Sequence, residues 1–148
     1  SPMGEFQIRL FFAQKWLEAA QGGAISQLNP EQINREFSFL TSELEKSRGQ
    51  VALDFKSRLL LGQLYNSWGL YDSSKIDLAD KVLAEALALA PRNQQTYWHL
   101  AQTRLYQMRI DDALNLAQTA YDLYPSNAQS KTVLDEIKAI KEKVMAEK

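Results

Sequence analysis

His99 is the only histidine in the chain, so neither a histidine-based metal cluster nor a histidine pair can be built. A lone histidine within a helical stretch reads as a surface or packing residue. The carboxylate pairs Asp111-Asp112 and Asp135-Glu136 are adjacent in sequence and splay apart around a helix instead of converging on one point. Asp111 and Asp112 also fall at a helix start, where negative charge suits the helix dipole. Gly22-Gly23 lack the further Gly and Lys of a phosphate-binding loop. There are no cysteines, which removes thiolate zinc sites, disulfide frameworks and cysteine nucleophiles. These residues predict no catalytic site, no metal site and no cofactor.

The totals agree with a binding or structural role. The chain has 148 residues, 45% hydrophobic and 24% charged, enough for one domain with a real core. Lys plus Arg number 17 against 18 Asp plus Glu. That balance lacks the basic surface that nucleic-acid binding needs to displace counterions. The opening SPMGEF reads as a cleavage-and-cloning remnant at residues 1–6, which predicts a domain cut from a longer parent. The stretch IRLFFAQKWLEAA is too short to span a bilayer and carries Arg9, Lys15 and Glu18, so the piece is expected to be soluble as it stands.

Only four prolines and six glycines interrupt the chain, and the apolar spacing is helical throughout. A first helix is predicted from about Gln7 to Gln21, ended by Gly22-Gly23. Asn29-Pro30 supplies a cap and a first-position proline for a second, with Ile33, Phe37, Leu40 and Leu44 on one stripe and an end near Arg48-Gly49. The third should run from about Val51 to Trp68 on Phe55, Leu59, Leu60, Leu64 and Trp68. Asp72, Ser73 and Ser74 offer caps for a fourth helix reaching Ala90, where Pro91 stops it. A fifth, capped near Asn93, should reach Gln107. Arg109 to Asp111 form a tight turn before a sixth ending at Tyr124. After Pro125, Ser126 or Asn127 caps a seventh with a stripe of Val133, Ile137, Ile140 and Val144. Its remaining mixed charge suits a solvated face.

Pro91 and Pro125 lie 34 residues apart and close similar runs, LAPRN and LYPSN. Helices joined by short turns pack as antiparallel hairpins, and a hairpin period of 34 is the spacing of tetratricopeptide repeats. The run TYWHLAQTRLYQMRIDDALNLAQTAYDLYP resembles that family through Tyr97, Trp98, Leu100, the small Ala101, Ala113 and Ala120, and the closing Pro125. Small residues at the crossing let two backbones approach, and Tyr97, Leu100, Ile110 and Leu116 can fill the space around them. The preceding unit matches through Leu61-Gly62, Tyr65, Ala79, Ala86 and Pro91, with the turn YDSSKID about five residues longer. Arg58, Arg104 and Ala117 depart from the residues usual in the family. The implied architecture is all-α, about seven helices in stacked antiparallel hairpins across 7–148. Residues 7–48 would form a degenerate hairpin, 51–91 and 92–125 two family-like hairpins, and 126–148 a capping helix. More narrowly, GQLYNSWGLYD…ADKVLAEALALAPRNQQTYWHLAQTRL is similar to the soluble repeat domain of bacterial O-antigen ligase-type polysaccharide membrane proteins. That implies a parent anchored in a bacterial envelope.

The resemblance further implies that the first helix of each hairpin faces a concave groove. Mapped by position, the groove holds Lys56, Gln63 and Asn66, then Gln95, Trp98, Gln102 and Tyr106, then Gln129 and Glu136. Amides beside an aromatic ring can bond an extended peptide backbone, or sugar hydroxyls with the ring against a pyranose face. The alternative is that Trp98 is buried between hairpins and the glutamines are merely solvated. Ile8, Leu10, Phe11, Phe12, Trp16 and Leu17 cover more than one face of the first helix. Such a helix is either sandwiched in the core or open to a second copy or to other parts of the parent. The predicted function is a non-catalytic module binding a protein segment, with saccharide binding or self-association as alternatives.

Overall fold

The computed structural model describes the backbone of residues 2–50 and 55–148, with side chains from 7–46 and 55–148. Seven α-helices follow one another among the described residues: α1 (Pro2–Gln21), α2 (Pro30–Gln50), α3 (Phe55–Trp68), α4 (Ile76–Leu89), α5 (Gln94–Tyr106), α6 (Ile110–Leu123) and α7 (Ala128–Ala146). The first five residues of α1 belong to the stretch read as a remnant. The expected start of the third helix at Val51 lies outside the described residues.

The boundaries follow local chemistry. Gly23, at φ 80°, turns the chain out of α1. Asn29 caps α2 by accepting from the Gln32 N–H over 2.9 Å, and the Gln32 side chain accepts from the Asn29 N–H over 3.1 Å. Asn93 and Asn127 cap α5 and α7 through Thr96 and Gln129. Asp72 does not cap α4. It caps a single 3-10 turn, Ser73–Lys75, which takes up the extra length of the YDSSKID segment before α4 begins. The tight turn expected at Arg109–Asp111 falls earlier, at Gln107–Arg109. Met108 adopts φ 60° there, so Ile110 already starts α6.

Helix pairing is that of a tetratricopeptide-like stack. α3 packs with α4, and α5 with α6, as hairpins, while α1 and α2 pair at one end. The first helix of each hairpin also touches the first helix of the next, α1 to α3, α3 to α5 and α5 to α7. The second touches the same neighbour, α2 to α3, α4 to α5 and α6 to α7. α3 is therefore enclosed on several sides, and Leu59, Leu60, Leu61, Leu64, Tyr65 and Trp68 are all buried.

Small residues sit at the crossings. A Cβ on Gly62 would stand 2.4 Å from the Leu83 side chain of α4, so only a hydrogen fits. Ala101, Ala113, Ala117 and Ala120 are fully buried in the α5–α6 hairpin, and Ala117 packs in one cluster with Leu134 and Ile137 of α7. The two arginines that depart from the family pattern both reach α4: Arg58 pairs with Glu85 at 3.3 Å, and Arg104 with Asp80. In α7 the buried positions are Ser130, Leu134 and Ile137. Of the expected stripe, Val133 and Val144 are half-buried and Ile140 is exposed. The helix is rotated so that its apolar stripe meets α6 as well as α5.

Candidate functional site

Residues of α1, α3, α5 and α7 line two adjoining hollows. The larger, about 420 Å³, is lined by Leu10 and Gln14 of α1, Lys56, Leu59, Leu60 and Gln63 of α3, Gln95, Trp98 and His99 of α5, and Gln129 of α7. The second, about 290 Å³, lies between α5 and α7 and is lined by Trp98, His99, Gln102, Leu105, Gln129, Val133, Glu136, Ile137 and Ile140. Trp98, His99 and Gln129 form the ridge shared by both.

Seven of the nine residues mapped from the sequence therefore meet at these hollows: Lys56, Gln63, Gln95, Trp98, Gln102, Gln129 and Glu136. Their register follows from the repeat. Gln95 and Gln129 are 34 residues apart, as are Gln102 and Glu136, so one helix face is copied onto the next.

Two residues fall elsewhere. Asn66 is 1% exposed, and its amide works inside the stack. Its Nδ2 donates to the His99 carbonyl at 3.0 Å, and the Thr103 hydroxyl lies 2.8 Å from its Oδ1. It ties α3 to α5 instead of facing a ligand, because a buried amide must find partners within the protein. Tyr106 lines neither hollow. It stands one turn beyond Gln102 and accepts a hydrogen bond from Gln102 Nε2 at 2.9 Å.

Trp98 meets neither extreme expectation fully. Its ring is half-buried and lines both hollows, while its Nε1 donates to Ser130 Oγ across the α5–α7 junction at 3.0 Å. His99, read from the sequence as a packing or surface residue, sits beside it. Desolvation pulls the His99 pKa from 6.5 down to about 4, so the ring is neutral near pH 7. The leucines at 10, 59, 60 and 105 give the groove an apolar floor that the sequence mapping did not include. Leu59 could have been found, since it stands in α3 where Trp98 stands in α5.

The surface is chemically suited to binding. Amide side chains offer donors and acceptors above apolar carbon, with a lysine in one hollow and a glutamate in the other. Among the described residues no group of His, Asp or Glu is placed to hold a metal ion. Among them, too, no helix is long and apolar enough to cross a membrane.

No protein-family model and no curated protein sequence matches the chain. Among solved structures, the type III secretion translocator chaperone SycD of Yersinia enterocolitica superposes with a TM-score of 0.62 at 15% identity, over 87% of this chain and 85% of that one. The likeness is one of fold, a tetratricopeptide-like stack of helical hairpins.

Proposed function

We propose that this chain is a non-catalytic module that holds an extended segment of another protein across the concave faces of α1, α3, α5 and α7. The observation that carries this reading is the continuity of the groove. Both hollows share Trp98, His99 and Gln129, and the amides Gln95 and Gln129 stand one repeat period apart. An extended backbone exposes one donor and one acceptor per residue, which is what glutamine side chains satisfy. The structural neighbour is itself named a translocator chaperone, in keeping with a protein segment as ligand. On the resemblance read from the sequence of residues 62–105 alone, the proposed role is accessory to an envelope polysaccharide membrane protein.

The test is calorimetric titration of the chain with peptides selected from a displayed library and, separately, with oligosaccharides. Trp98→Ala and a Gln95→Ala, Gln129→Ala double variant should each weaken peptide binding at least about tenfold, the loss expected for a central aromatic anchor. Peptides that bind equally well to both variants, or saccharides that alone respond to Trp98→Ala, would overturn the protein-segment reading.

A second reading, self-association through α1, is favoured by a separate observation. Ile8, Phe11 and Phe12, with Phe39 of α2, are 57–60% exposed on one face.

A further inference from the structure

Trp98 enters the groove with its polar edge already engaged. Its Nε1 donates to the Ser130 hydroxyl, and Ser130 has no exposed surface. The indole N–H therefore points into the protein, and what remains for the two hollows is ring carbon.

Ser130 Oγ is held by a second donor, Gln94 Nε2, at 2.8 Å. That amide is anchored in turn. Nε2 also reaches the Ala120 carbonyl at 2.7 Å, and Oε1 accepts from Asn127 Nδ2 at 2.7 Å. Gln94 is 8% exposed, and neither it nor Ser130 lines either hollow. Two donors converging on one buried hydroxyl leave it little freedom to release the indole.

Building on the groove reading above, we propose that Ser130 and Gln94 are positioning residues. They hold Trp98 so that it presents an apolar face without a hydrogen-bond donor, and they thereby select an aliphatic or aromatic side chain of the bound segment for the hollow between α5 and α7. Beside Trp98, Leu105, Val133, Ile137 and Ile140 contribute carbon to that hollow, while His99, Gln102, Gln129 and Glu136 supply its polar groups. An unpinned indole would turn its N–H toward the groove and reward a hydroxyl or carbonyl at the same point. Holding it back is discrimination by withholding a partner.

The probe is a dodecapeptide selected on the full chain from a phage-displayed library, together with a version in which the apolar residue that senses Trp98→Ala is replaced by serine. The unaltered chain should prefer the parent peptide at least about tenfold. Ser130→Ala should narrow that preference about fivefold, the size of one hydrogen bond. Ser130→Thr keeps the hydroxyl and should restore it. In a Trp98→Phe background Ser130→Ala should change nothing, because no N–H is left to hold. A purely structural serine would act in both backgrounds.

Full preference retained in Ser130→Ala, or a loss that persists with Phe at position 98, overturns the assignment. So does a Trp98 indole proton that exchanges with solvent in the unaltered chain like a free indole, a measurement that needs no variant to fold. Failure to select any peptide that binds through Trp98 overturns the groove reading and this assignment together. A peptide that binds through Trp98 but ignores Ser130→Ala overturns this assignment alone.

Discussion

Protonating His99 would place a cation beside Trp98 at the desolvated centre of the groove, and its lowered pKa expresses that cost. Between the unfolded pKa of 6.5 and the folded value of about 4, the unfolded chain binds the proton and the folded chain does not. Stability is therefore full above pH 6.5 and falls as the pH drops toward 4, by about 2–3 kcal/mol at the lower end. Urea midpoints measured across that window should show the decline, and His99→Gln should flatten it. A slope unchanged in the variant would assign the acid sensitivity to other groups. The histidine backbone is as constrained as its ring, since the His99 carbonyl accepts from Asn66 and lies 3.0 Å from the Thr103 hydroxyl.

Helices and their caps were largely legible because they depend on neighbours in sequence. Asn29-Pro30, Asn93, Pro91 and Pro125 mark boundaries through backbone geometry that is local. What the sequence hid is set by elements that meet only after folding. Asn66 looks like a groove residue until α5 lies alongside and offers partners 33 and 37 residues away. Ser130 and Gln94 carry no local signal at all. The same holds in α7: Val133 and Leu134 are equally apolar in the sequence, yet Leu134 is buried and Val133 half-buried against the same cluster. Asn127 illustrates how a local and a distant role add. Its side chain caps α7 at 3.0 Å and also donates to Gln94, whereas among the described residues the Asn93 side chain makes only its capping bond to Thr96. Asn93→Ala should cost about 1 kcal/mol and Asn127→Ala about 2 kcal/mol in chemical denaturation. Equal losses would mean that the Asn127–Gln94 bond adds nothing.

At the scale of the molecule the two ends of the stack differ. The outer face of α7 carries exposed charge, with Lys131 paired to Asp135 at 2.6 Å, and needs no cover. The α1–α2 end has an apolar hollow of about 410 Å³ lined by Ile8, Arg9, Phe12, Phe39, Leu40 and Glu43. Trp16, Leu17 and Ala13 of the same helix pack inward, while Ile8, Phe11 and Phe12 on it are exposed. Arg9 and Glu43, 3.2 Å apart, supply the charged part of that lining. On the self-association reading, this exposed apolar face is where a second copy would dock. Analytical ultracentrifugation should therefore show a concentration-dependent dimer that a Phe11→Asp, Phe12→Asp variant abolishes. A monomer at all concentrations, or a dimer indifferent to those changes, removes self-association.

The five spare residues between α3 and α4 bear on how the groove can be observed. They fall within the connection 69–75, which includes the Ser73–Lys75 turn; Lys75 lies over the Trp68 ring, and Leu70 is 66% exposed. None of these residues borders either hollow. Length has already been added there without breaking the stack, which makes Leu70 the natural place to attach a dye or an immobilising tether while leaving the binding face untouched.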